Sequence, residues 1–283
     1  MRTLTSTLTV AQKSAGIKPL YRIVLSKTGQ TTETYLNARL YESSHIEKQY
    51  AQTAEVILDN SDAEFTLLDL MGYKGVISYG ATTSAGDEYS ASAPLWVIAE
   101  DLLSTRGIQQ CALSLIGTPN RLDLDRANTS FFPTSSDQKT IKTLLKEIAA
   151  GGFSAWQANT AYVLGDCIKP TTANGYIYRC TTAGTSGASE PASWNTTIGG
   201  TTTDGTVTWT NKGKQMTSFS HCTAYTITFD SEDSLIDAFI PADMFRINLN
   251  GTRLDAIRRL LSFTKNMMRV EDIIKRIGTY RQY

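Results

Sequence analysis

Ala155-Trp156, Tyr162, Gly165-Asp166, Asn174-Gly175-Tyr176, Tyr178, Trp194, Asp204-Gly205 and Trp209 fall within residues 153–214, a stretch otherwise poor in apolar side chains. Aromatic residues separated by Gly-Asp, Asn-Gly and Asp-Gly turn signals read as short strands joined by tight turns, so the segment is a small β-module. Just before it, an amphipathic helix stops at Gly151-Gly152; after it, a strand-like run restarts at Tyr225. The two flanks read as parts of one other domain, and the module reads as an insertion into it.

A domain of about 60 residues buries little surface and relies on rings for its core, since each covers roughly 150 to 250 Å². Trp156, Tyr162 and Tyr178 follow the turn and strand pattern most regularly and are assigned to that core. Tyr176, Trp194 and Trp209 are left as candidates for an exposed platform, with Asn174, Glu190 and Asn195 as polar neighbours. A flat ring suits the apolar face of a sugar, and amide or carboxylate side chains suit its hydroxyls.

Upstream, Leu4, Leu8, Ala11 and Ala15 recur at helical spacing before Gly16 and Pro19. The period then changes to that of strands, in Tyr21–Leu25, Thr34–Leu36, Leu40-Tyr41, Glu55–Leu58, Gly75–Gly80, Leu95–Ala99 and Gln110–Gly117. Short strands with few helices between them predict an antiparallel barrel or sandwich. A connector follows, and Ile141, Leu144, Leu145 and Ile148 then fall at i, i+3, i+4 and i+7, which predicts a helix. Beyond the module, strands are expected over 224–229 and 245–249, a helix over about 252–264, and a strand starting at Met268. The expected partition is a leading helix over 1–19, a barrel or sandwich over 20–118, a connector and helix over 119–152, the module over 153–214 and the rest of an α+β domain over 215–283. The fold class is mainly β with α+β parts.

The chain has 283 residues, 41% of them hydrophobic and 19% charged, with 27 basic and 27 acidic side chains mixed along it. That composition belongs to a globular protein, and a net charge of zero favours neither nucleic acid nor an anionic membrane as partner. The first eight residues lack the apolar run of a secretory signal, and no stretch reaches the roughly 18 apolar residues that span a bilayer. Synthesis and assembly in a cytoplasm are expected.

A search for chemistry finds little. Neither a dinucleotide nor a P-loop glycine pattern is present, and Ala183-Gly184-Thr185-Ser186-Gly187 lacks the spacing of a nucleophile elbow. Cys111, Cys167, Cys180 and Cys222 form no C-x-x-C pair, so no metal site is expected; Cys167 and Cys180 both fall in strand-like runs and read as buried free thiols, with a disulfide between them as the alternative. His221 is followed by Cys222, but neighbours in a strand face opposite ways, so no couple forms. The acidic run Asp230, Glu232, Asp233 and Asp237 suits a solvated turn better than a pair of catalytic carboxylates. The chain is expected to be no enzyme and to carry no cofactor.

Two resemblances add to this. Ala155-Trp156, Tyr162, Gly165-Asp166 and Gly175-Tyr176-Ile177-Tyr178 resemble the small chitin- and cellulose-type carbohydrate-binding modules of secreted hydrolases and phage tail proteins. Ala183–Gly187, Glu190-Pro191 and Asp204–Trp209 look like the version that recurs in phage structural proteins. Separately, 56–62, 70–80, the helix at 140–149, 242–247 and 253–257 are similar to the tail hub, or baseplate hub, proteins of tailed phages. The hub resemblance implies a barrel followed by an α+β domain, other tail proteins as partners, trimeric self-association and a place in the virion tail. The module resemblance implies contact with host-surface polysaccharide. The alternative from another class is a secreted, carbohydrate-active protein whose glycan module is this insertion.

Overall fold

The computed structural model describes residues 4–105, 107–137, 139–150, 153–214, 219, 225–229, 234–270 and 276–281. Two compact units emerge, Met1–Leu122 with Arg269–Arg276 and Asp123–Met268 with Ile277–Tyr283. The chain is mainly β, with antiparallel sheets and few helices.

The first unit begins with α1 (Ser6–Ala11), shorter than the helix expected from its apolar spacing. Thr5 caps it, and the hydroxyls of Thr5 and Thr7 donate to the Glu88 carboxylate at 2.7 and 2.8 Å. Eight strands follow: β1 (Pro19–Ser26), β2 (Glu33–Leu36), β3 (Leu40–Lys48), β4 (Ala51–Asp59), β5 (Lys74–Thr83), β6 (Gly86–Ala91), β7 (Leu95–Thr105) and β8 (Ile108–Gly117). They form one sheet in the order β2-β1-β5-β7-β8-β4-β3, with β6 on β5. Strand alternation sends Tyr21, Ile23 and Leu25 of β1, Ala54, Val56 and Leu58 of β4, and Cys111, Leu113 and Leu115 of β8 into one core. The loop after β4 covers one end of it: the Asn60 side chain accepts from the Phe65 N–H at 3.0 Å, and Phe65, Leu70 and Tyr73 are buried.

The sheet does not close into a barrel by hydrogen bonds. A side-chain contact links β3 to β5 instead. Tyr21 and Tyr79 are cross-strand partners on β1 and β5, with rings edge-on at 5.5 Å. His45 of β3 stacks parallel on Tyr79, its Nδ1 3.0 Å from the Tyr79 hydroxyl. β3 lies at the end of the ladder, hydrogen-bonded to β4, and its Tyr41 and Ile46 are exposed.

Helix α2 (Thr118–Leu124) replaces the start of the expected connector. In the second unit, α3 (Ile141–Ala150) bears out the predicted helix, with Ile141, Leu144, Leu145 and Ile148 fully buried. The module supplies β9 (Ala161–Tyr162), β10 (Cys167–Ile168), β11 (Tyr176–Thr182), β12 (Gly184–Thr185), β13 (Thr201–Asp204) and β14 (Val207–Lys214). Then come β15 (Thr226–Phe229), α4 (Leu235–Ala238), α5 (Arg253–Leu261), β16 (Asn266–Val270) and β17 (Arg276–Arg281), with β15-β17-β16 as a three-stranded sheet. The strand expected over 245–249 is not formed; Ile247 makes an isolated antiparallel bridge to Phe131, and pairing with the same segment is interrupted by the turn at Asn250-Gly251 before a second isolated bridge, Arg126 to Thr252.

Arg253, at the start of α5, organises this unit. Its Nε donates to the Ile148 carbonyl at 2.7 Å, a second nitrogen donates to the Ala149 carbonyl, and its charge is met by Asp125 at 3.1 Å. A cation on the last carbonyls of α3 satisfies groups with no intrahelical partner and suits the helix dipole.

Candidate functional site

The module is built around one carboxylate. Asp204 closes β13, and Gly205, with φ of 56°, turns the chain into β14; a Cβ on Gly205 would lie 2.5 Å from the Thr185 carbonyl oxygen, so the turn requires glycine. The Asp204 side chain is thereby directed inward. Its Oδ2 accepts from the indole N–H of Trp156 at 2.7 Å and of Trp209 at 3.0 Å, while Oδ1 accepts from the Gly187 N–H at 2.8 Å. Three donors satisfy a buried anion that would otherwise be costly. Ile168, Tyr178, Cys180 and Val207 complete the core, and Tyr162 stands edge-on to Trp209 at 4.8 Å.

Trp209 is therefore not part of an exposed platform. It is fully buried, because its position opposite Cys180 across β11 and β14 turns the ring into the module and the Asp204 bond holds it there. Trp156 and Tyr178 are core residues as expected, and Tyr162 is half-buried against them. Trp194 and Tyr176 keep part of their surface and pack on the same core, with Trp194 at 4.5 Å from Tyr178 and 6.3 Å from Trp209.

The polar candidates hold the module's own loops. Asn174 donates to the Tyr178 hydroxyl at 2.8 Å and accepts from the Tyr176 N–H at 3.0 Å. Glu190 accepts from Trp194 Nε1 at 3.0 Å and from the Thr171 N–H at 2.9 Å. Asn195 accepts from the Thr197 N–H at 2.9 Å, and a Cβ on Gly200 would collide with its side chain. Only the Trp194–Glu190 pair joins a partly exposed ring to a carboxylate on one patch. Tyr176 lies on β11, on the same side of the strand as Tyr178.

The module's other face packs on the flank. Cys167 lies opposite Arg179, and Cys180 opposite Trp209, so the two thiols occupy opposite faces and both are free. Burial, followed by the nearby Glu147 charge, pushes the Cys167 thiol up to about 12. The end of β14 is fixed to residues just before α3. The Asp137 carboxylate accepts from the Lys214 N–H at 3.0 Å and the Thr134 N–H at 2.7 Å. Lys139 donates to the Lys214 carbonyl and pairs with Glu147 at 2.9 Å, both side chains fully buried. Burial raises the Asp137 carboxyl, but the two main-chain N–H donors outweigh it and hold the group below the usual carboxylate range. Neither the aromatic pattern nor the helix period signalled this joint.

His221, Cys222, Asp230, Glu232 and Asp233 lie outside the described residues, while Asp237 is exposed and pairs with Lys142 at 3.0 Å. Among the described residues no group of three or more His, Cys, Asp or Glu side chains is placed to hold a metal, and no helix is long and apolar enough to cross a membrane.

No protein-family model and no curated protein matches the chain. Partly similar solved structures include a tail protein from Neisseria meningitidis MC58, at 13% identity and TM-score 0.31 over 54% of this chain and 42% of that one. Another is the 43 kDa tail protein of prophage MuSo2 from Shewanella oneidensis, at 10% identity and TM-score 0.37 over 93% of this chain and 55% of that one. A third is the Francisella PdpA–VgrG complex in its lidded form, at 11% identity and TM-score 0.30 over 54% of this chain and 23% of that one. The chain thus spans about half or less of the length of these neighbours, and overlaps at this level fall short of a shared fold.

Proposed function

We propose that the chain is a non-enzymatic structural component of a phage tail tip or baseplate, joined to other tail proteins and to copies of itself through the β-rich first unit. The observation that carries this reading is β3, nine residues long, which pairs with β4 on one side and ends the ladder. A long terminal strand with exposed Tyr41 and Ile46 is a template for another chain. The β7–β8 hairpin adds exposed Leu102, Leu103 and Ile108 near its tip. The sequence resemblance to tail hubs supplies the class of partner, and threefold association is the symmetry it implies.

Light scattering on the purified chain, alone and mixed with tail-tube protein, tests this. A multimer or a defined complex is expected, and Tyr41→Lys with Ile46→Lys should abolish it while circular dichroism stays unchanged. A wild-type monomer that joins no tail protein overturns the reading.

Within this reading the inserted module contacts host-surface polysaccharide, through Trp194 and Tyr176 rather than Trp209. Pull-down on insoluble polysaccharides is the check. Trp194→Ala should lose retention while circular dichroism shows the module still folded, and a wild-type chain retained on none of a broad panel removes the glycan role while leaving the tail role standing.

A further inference from the structure

We propose that Lys146 of α3, Arg179 of β11 and Lys212 of β14 form a binding site for a tetrahedral oxyanion, a phosphate or sulfate group, where the module meets the helix.

The three cations come from three elements and converge. A Cβ placed on Gly165 would lie 3.4 Å from one terminal nitrogen of Arg179 and 3.7 Å from Lys146 Nζ, so both charges border the space that this glycine leaves open. Gly165 has φ of 91°, a conformation that disfavours any side chain there. Arg179 and Thr210 are cross-strand partners, which places Arg179 on the face of the sheet opposite to Tyr178 and Trp209. Lys212, two residues along from Thr210, adds its charge beside Arg179 and Cys167.

None of the three is paired with a carboxylate among the described residues. The acidic groups at hand are engaged elsewhere: Glu147 with Lys139 at 2.9 Å, and Asp166 with the Val163 N–H at 2.8 Å. The Cys167 thiol, opposite Arg179, is kept neutral by burial and contributes no competing negative charge. Burial lowers Lys212, and the Arg179 charge lowers it further, a repulsion that an anion between the two would relieve. The ligand class follows from the donors. A guanidinium offers a planar fork that matches two oxygens of a phosphate or sulfate, and two ammonium groups supply point charge for the remaining oxygens.

Isothermal titration of the full chain with inorganic phosphate and with sulfate, at constant ionic strength set by chloride, tests the site. Saturable one-to-one binding is expected, weakened by about tenfold or more in Arg179→Gln, as loss of a charge-assisted fork implies. Lys146→Gln, on the partly exposed face of α3, should weaken it without affecting the fold and guards against a misfolded Arg179 variant. A glycerol-phosphate oligomer that competes with phosphate marks a polymeric source, and competition by monoesters alone marks free phosphate; either outcome supports the site. Absence of binding at millimolar phosphate, or equal binding in wild type and both variants, overturns the proposal.

Discussion

Trp209 donates its indole N–H to the Asp204 carboxylate at 3.0 Å in the interior of a module that has little interior, and Trp156 shares the same oxygen at 2.7 Å. This arrangement makes Asp204 the organising residue of the fold and removes Trp209 from any surface role.

Asp204→Ala is expected to leave two buried indole donors and the Gly187 N–H without their acceptor. At about 1 to 3 kcal/mol for each unsatisfied group, the module should unfold well before the rest of the chain, seen as a separate transition in calorimetry or as loss of tryptophan fluorescence structure. Trp209→Ala should cost about 3 to 5 kcal/mol by cavity formation. An Asp204→Ala melting curve that superimposes on the wild type would refute the organising role.

Replacing residues 155–214 by a short flexible linker should destabilise the flank, because Lys139, fully buried in its pair with Glu147, then loses the Lys214 carbonyl to which it also donates. A buried charge left short of a partner is destabilising, whereas exchanging both members of a buried pair for apolar residues is often neutral or better. The same deletion combined with Lys139→Met and Glu147→Leu is therefore expected to recover cooperative unfolding. If the simple deletion melts like the intact flank, the joint contributes nothing.

The Asp137 carboxyl is held below the ordinary aspartate value of 3.8, so its ionised form is favoured more in the folded chain than in the unfolded one. Its contribution is complete above pH 3.8 and is lost as pH falls through the lower, folded value. Asp137→Asn should weaken the chain at neutral pH and flatten this acid-side loss. Urea midpoints measured from pH 7 down to pH 2 would expose the opposite result, parallel curves for the two proteins.

Much of the fold was legible because it follows from period. Alternation locates β1, β2, β4, β5, β7 and β8 but misses β6 and all but the start of β3, and Ile141, Leu144, Leu145 and Ile148 locate α3. Trp209 is misplaced by the sequence because strand alternation assigns a residue to one of two faces without saying which face is covered. Asp204, five residues upstream, was the clue: a carboxylate before a glycine turn, amid rings with N–H groups to give. The buried pairs Lys139–Glu147 and Arg253–Asp125 left no local signal, the second because its members stand 128 residues apart. The strand expected at 245–249 fails on its partner, since a strand needs a ladder and this segment has the isolated Ile247–Phe131 bridge and a bond from the Leu249 N–H to the Ser130 side chain instead.

The joint at Asp137 and Lys139 also decides how the module carries load. Two covalent tethers alone would let residues 153–214 swivel when something pulls on them. Here the main chain of Lys214 is gripped from both sides, its N–H by Asp137 and its carbonyl by Lys139, and a Cβ on Gly213 would come within 2.5 Å of the Asp137 carboxylate. Tension on β14 therefore enters α3 as shear across several bonds at once, and through Arg253 on the last carbonyls of α3 it reaches α5. A tug at the module becomes a strain on the helical body rather than a twist in a hinge.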